Sequence, residues 1–171
     1  MEIKMTQAEQ GVFADRYKVI PRCLIFLFNE ENVLLIKGHA SKRLWPNLYN
    51  GIGGHIEYGE DILTAARREL EEESGLTCDD LWLCGQVMVD ASVEVGISIF
   101  IFKGTYQEGE IKTSSEGELE WVNLEEIKRL PLVIDLHTIL PLVEAFNKGD
   151  AVFSARYYYD ENGELQIVIN K

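Results

Sequence analysis

The chain has 171 residues, 46% hydrophobic, 10% aromatic and 26% charged, with a formal net charge of −13. This size and apolar content fit one globular domain with its own core and exclude wholesale disorder. The acidic excess excludes polyanions such as DNA and RNA as partners. No apolar run approaches the ~20 residues of a membrane helix, and the first ten residues contain no apolar core of a signal peptide. A soluble, cytoplasmic protein is expected. Cys23, Cys78 and Cys84 are too few and too scattered for a disulfide framework or a thiolate zinc site, and read as structural thiols.

Residues 1–16 read as an N-terminal tail, and 17–171 as a single domain. Tyr17–Phe28 is rich in β-formers and predicts a strand. The turn Asn29–Asn32 leads into a second strand, Val33–Lys37, giving a hairpin. Gly38–Asn47 is a basic loop containing Lys42 and Arg43, and Leu48–Ile56 is glycine-rich. A helix follows, with Asp61 as its N-cap and Gly75 just past its end. Strands are predicted near 81–90, 95–106 and 119–123. Leu124–Leu130 predicts a short helix, and Asp135–Asn147 an amphipathic one in which Pro141 suits only a start or a kink. A closing hairpin, 151–171, turns at Asn162-Gly163. Mixed strands and helices place the chain in the α/β or α+β class around a mixed β-sheet.

The charge is concentrated. Residues 57–80 carry nine acids and two bases, and residues 106–126 carry seven acids and one base. On a helical wheel at ~100° per residue, Glu72 and Glu73 fall about 60° and 40° to either side of Glu69. Glu71 falls on the opposite side. Three carboxylates on one face repel one another, and they stand at the helix end where the macrodipole disfavours anions. A hard divalent cation would remove both objections; a solvated acidic surface is the competing reading. Upstream, Gly51, Gly53 and Gly54 permit close approach of backbone or substrate.

Gly54, Glu60 and the run Arg68-Glu69-Leu70-Glu71-Glu72-Glu73-Ser74-Gly75-Leu76 match the Nudix box at every defined position. The chain thus resembles the Nudix hydrolases. The resemblance implies an α/β/α sandwich and metal-dependent hydrolysis of a nucleoside diphosphate linked to another group. It implies Mg²⁺ or Mn²⁺ held by Glu69, Glu72 and Glu73, with Glu60 and Gly54 in the same metal set. Arg68 is implied as the residue that positions a box glutamate. The general base is left open among Glu69, Glu73 and an acid of a later loop, for which Glu116 is preferred over Glu118 and Glu120.

Within the family, three segments resemble the mammalian-type, MutT-like oxidised-purine nucleoside triphosphatases. Asn50, in Tyr49–Gly54, would read a purine edge. Trp121 would stack on the base. The third segment is the C-terminal hairpin. Those enzymes read the base with two adjacent aspartates, whereas here Asp135 is followed by Leu136. Lys37 aligns with a phosphate-contacting base, with Lys42 or Arg43 as substitutes, beside Gly53 and Gly54. The expected reaction takes 8-oxo-dGTP to monophosphate and pyrophosphate. Alternatives are ADP-ribose, a dinucleoside polyphosphate or a nucleotide sugar as substrate, or a non-catalytic nucleotide sensor. Either a monomer or a homodimer is compatible with the sequence.

Overall fold

The computed structural model describes residues 10–112 and 116–170. One eight-stranded mixed sheet organises them. In chain order its strands are β1 (Lys18–Asn29), β2 (Asn32–Gly38), β3 (Tyr49–Asn50), β4 (Leu81–Val89), β5 (Val95–Thr105), β6 (Gly117–Asn123), β7 (Phe153–Tyr159) and β8 (Leu165–Asn170). The spatial order is β3-β2-β1-β5-β4-β7-β8, and β6 pairs with β2. The β1–β5 and β4–β7 pairs are parallel and the others antiparallel.

Helix α1 (Ile62–Ser74) covers one face and α2 (Leu136–Ala145) the other. This is the α/β/α sandwich. Strand β1 shows why the central strands read as unbroken apolar runs. Cys23, Ile25 and Leu27 pack with Ala66 and Leu70 of α1. Phe26 and Phe28 pack with Leu136, Ile139, Leu140 and Val143 of α2. Both faces of the strand are buried, so no polar alternation survives. Each fully buried side chain of this kind contributes about 1.5–3 kcal/mol.

The caps of α1 lie where the sequence puts them. Asp61 accepts hydrogen bonds from the N–H groups of Leu63 and Thr64. Gly75 takes the left-handed conformation (φ 71°), with its N–H on the Glu71 carbonyl.

Two other helical expectations need correction. Within Leu124–Leu130 only one 3-10 turn forms, Ile127–Arg129. Pro131 disfavours helical geometry at Leu130. The chain just beyond it docks on Tyr49, whose N–H donates to the Pro131 carbonyl and whose carbonyl accepts from Val133 N–H. In α2, Pro141 lies inside the helix. It is solvent-exposed, so water can serve the His137 carbonyl that its missing N–H leaves without a helical partner.

Of the expected tail, residues 1–9 lie outside the described residues, and residues 10–16 are exposed. The C-terminal hairpin forms and extends the sheet through β4.

Candidate active site

Beside α1, the turn Gly51–His55 runs antiparallel to β1, with Cys23 N–H on the Gly54 carbonyl and Ile25 N–H on the Ile52 carbonyl. One glycine is sterically required there, and a second leaves room for a side chain. At Gly53 (φ 155°) a Cβ would meet the Cys23 carbonyl, and at Gly54 it would meet the Glu69 carboxylate. The backbone is therefore bare where the box glutamates need space. Glu73 is buried, at 8% exposure, and accepts a 3.2 Å hydrogen bond from Gly53 N–H. Burial pushes its carboxyl up to about 7, helped by the charges of Glu69 and Glu116, while the Gly53 hydrogen bond and, more weakly, Lys42 oppose this.

Arg68 holds the cluster together. Its Nε and Nη2 bond the two oxygens of Glu60 at 2.7 and 3.0 Å. Nη1 bonds Glu69 at 2.9 Å and Glu72 at 3.0 Å. Nη2 also donates to the His55 carbonyl. Four acceptor residues around one guanidinium fix both helix and turn. Glu60, expected in the metal set, has both oxygens committed to Arg68 and so clamps that arginine.

The carboxylates suit a hard cation in kind, because Glu69, Glu72 and Glu73 supply oxygen donors on one face of α1, where Arg68 neutralises Glu69 and Glu72 in part. As placed, no three such side chains among the described residues converge closely enough to hold an ion. Glu69 and Glu72 would have to turn off Arg68. Glu72 is free to do so, since its side chain is 59% exposed.

These acids stand at one end of an open cavity of about 750 Å³. Glu57, Glu69, Glu72, Glu73 and Glu116 border that end. Lys42 bonds Glu116 at 2.6 Å on the rim. Across the cavity the sheet presents Val89, Ile97 and Ile99, joined by Tyr157, Tyr159 and Leu165 of the C-terminal hairpin.

Asn50 and Asp135 lie on the cavity wall as well. Asn50 Oδ1 accepts the Gly51 N–H at 2.8 Å, which leaves its amide NH₂ for a ligand. Asp135 occupies the N-cap position of α2 without using its side chain as a cap. Burial holds that carboxyl above the usual range. The Tyr157 hydroxyl is buried without a well-formed hydrogen bond; burial, then the Asp135 charge, push it up.

Two expected binding residues stand elsewhere. Trp121 pairs with Leu34 and packs on the α1 side of the sheet, edge-on to Tyr106 with ring centroids 5.2 Å apart. It is partly buried against that core, and Val133, Ile134 and Asp135 line the cavity instead. The Lys37 ammonium lies 5.5 Å from the centre of the Tyr49 ring, off the cavity wall. The Tyr49 hydroxyl donates to Glu120 at 2.7 Å, so Glu120 supports the sheet. The sequence reading missed Arg22, Trp45, Glu57 and Tyr157. A lone charge in an apolar strand was the available sign for Arg22; the other three carry no local signal.

The NUDIX domain profile matches residues 19–143. The chain belongs to the Nudix hydrolase family. It is 35% identical over 105 residues to the oxidized purine nucleoside triphosphate hydrolase of Danio rerio, across 61% of this chain and 66% of that protein. It is 33% identical over 122 residues to the 8-oxo-dGDP phosphatase NUDT18 of Homo sapiens, across 70% of this chain and 36% of that protein. The chain thus spans somewhat under two thirds of the first relative and about a third of the second. The MutT protein of Bacillus halodurans superposes with a TM-score of 0.72 at 26% identity, covering 89% of this chain and 98% of that one. Among the described residues, no helix is long and apolar enough to cross a membrane.

Proposed function

We propose that this Nudix chain hydrolyses a diphosphate linkage of an oxidised purine nucleoside triphosphate of the 8-oxo-dGTP type, releasing monophosphate and pyrophosphate. One observation carries the reading. A single cavity joins the box carboxylates at one end to an apolar wall with Asn50, Asp135 and Tyr157 at the other. A nucleotide has the same polarity, with a phosphate chain at one end and a flat base bearing hydrogen-bonding edges at the other. The names of the Danio rerio and Homo sapiens relatives support the substrate class.

Mg²⁺ or Mn²⁺, held by Glu69, Glu72 and Glu73 with the Gly54 backbone beside them, would neutralise phosphate oxygens and make a water easier to deprotonate. The chain's own groups do the rest. Gly53 and Gly54 leave room for the phosphates, and Arg68 with Glu60 fixes the approach of Glu69 and Glu72. Water oxygen bonds to phosphorus, the bridging P–O bond breaks, and the water proton passes to a carboxylate. Glu69, Glu73 and Glu116 line the cavity and are the candidates to take it. Asn50 and Asp135 offer donor and acceptor groups to a base edge. We take residues 17–171 as one functional unit, because the hairpin supplies part of the cavity. Three buried, unpaired thiols agree with a reducing, cytoplasmic setting.

The test is product analysis with Mg²⁺ over 8-oxo-dGTP, dGTP, dATP, 8-oxo-dGDP, ADP-ribose and a dinucleoside polyphosphate. Preference for 8-oxo-dGTP with pyrophosphate release is expected. Preference for ADP-ribose or the dinucleotide would overturn the substrate assignment. Binding without turnover on any compound would make the chain a sensor.

A further inference from the structure

Among the described residues, Arg22 is the only lysine or arginine on the cavity wall. It lies on β1, on the face that also carries Leu24, while Cys23 and Ile25 turn to α1. Its β5 partner is Ile99, and on its other side it bridges to His55. The guanidinium is thus rooted beside apolar side chains, one residue beyond the Gly54 backbone against which the Glu69 carboxylate rests.

Its Nε is buried and has no hydrogen-bond partner. A dehydrated guanidinium N–H without an acceptor is costly, and an anion is its best-matched partner. The neighbouring cations are already engaged. Arg68 serves Glu60, Glu69 and Glu72, and Lys42 serves Glu116. No carboxylate among the described residues pairs with Arg22 by ion pair or hydrogen bond. A cavity mouth bordered by five glutamates must nevertheless receive a polyanion.

We propose that Arg22 is a phosphate-binding residue, donating to non-bridging oxygens of the substrate's phosphate chain from the sheet side, opposite the box carboxylates. The proposal rests on the nucleotide reading above and deepens it. It assigns the phosphate contact, expected at Lys37, to a strand on the other side of the turn. Its position next to His55 puts it toward the phosphate end of the cavity, whereas Asp135 and Tyr157 define the base end.

The experiment uses inorganic tripolyphosphate with Mg²⁺, which has no base and needs no turnover. Calorimetry should show R22Q binding it about tenfold to a hundredfold more weakly than wild type. R22K should recover part of that loss. Thermal unfolding of R22Q should stay close to wild type, since the substitution removes the charge while keeping a polar side chain of similar reach. In turnover assays the R22Q KM should rise with phosphate number and be indifferent to the base, while kcat changes little. Unchanged tripolyphosphate affinity in R22Q would overturn the proposal, as would a wild type that does not bind tripolyphosphate. Losses that follow base identity would overturn it too, by moving Arg22 to the base end. A wild type that binds tripolyphosphate through Arg22 yet hydrolyses no nucleotide would refute the hydrolase reading and leave Arg22 standing.

Discussion

Single side chains separate the chemistry of this site from its scaffolding. Glu72 is the most exposed of the three box carboxylates on the cavity, and among the described residues its one ion pair is with Arg68. Losing an exposed i,i+4 pair costs only about 0.3–0.5 kcal/mol. Glu72→Gln should therefore melt close to wild type. Its kcat/KM with Mg²⁺ should fall at least about a hundredfold, because a metal clamp supplies several kcal/mol to the transition state. Near-wild-type turnover by a folded Glu72→Gln protein would sink its assignment as a metal ligand. Asn50→Ala tests the other end. Its lost amide should cut the preference for 8-oxo-dGTP over other nucleotides about tenfold. An equal loss on every nucleotide would make Asn50 only the turn residue that accepts the Gly51 N–H. The box residues could be placed from the sequence because one helical turn and one glycine pair bring them together. Trp121 and Lys37 could not, because a strand residue's face depends on pairings formed by distant segments.

Helix α1 is an element whose boundaries could be read locally, and its caps show why. Asp61 and Gly75 act through hydrogen bonds to groups within four residues of themselves. The 124–130 segment was misread for the opposite reason. Its start is held by the Glu31 carbonyl, which accepts the Leu124 N–H, and its end runs into Pro131, which bonds the backbone of Tyr49, far away in sequence. The Asp61 cap makes a pH prediction. Hydrogen bonds from Thr64 N–H, Thr64 Oγ and Leu63 N–H hold the Asp61 carboxyl below its ordinary value of 3.8. A carboxyl with a lowered folded-state value stabilises when ionised, so its contribution is present above 3.8 and fades as pH falls through the lowered value. Chemical denaturation of wild type and Asp61→Ala should differ at pH 6. The gap should close as the pH drops below 3.8. A gap that persists undiminished into strong acid would mean that the ionised carboxylate is not the cap.

Across the whole molecule, the base end of the cavity depends on how far the sheet extends. The strand order puts β7 against β4 and β8 outside it, so Tyr157, Tyr159 and Leu165 reach a cavity whose box carboxylates come from a helix on the other face. Phe153 fastens this extension. It is 5% exposed, pairs with Gly85 across the β4–β7 ladder, and packs with the α2 core. Phe153→Ala should cost about 3–5 kcal/mol and loosen the hairpin more than the region around α1. The two ends of the cavity should then come apart in function. Selectivity for the oxidised purine should fall, while the residual rate on poorly matched nucleotides, which rely on the carboxylate end, should change less. Denaturant unfolding gives the stability loss, and the nucleotide panel below the unfolding transition gives the selectivity. If folded Phe153→Ala loses rate by the same factor on every nucleotide, the hairpin supports the catalytic end as well, and the division between base wall and phosphate end is wrong.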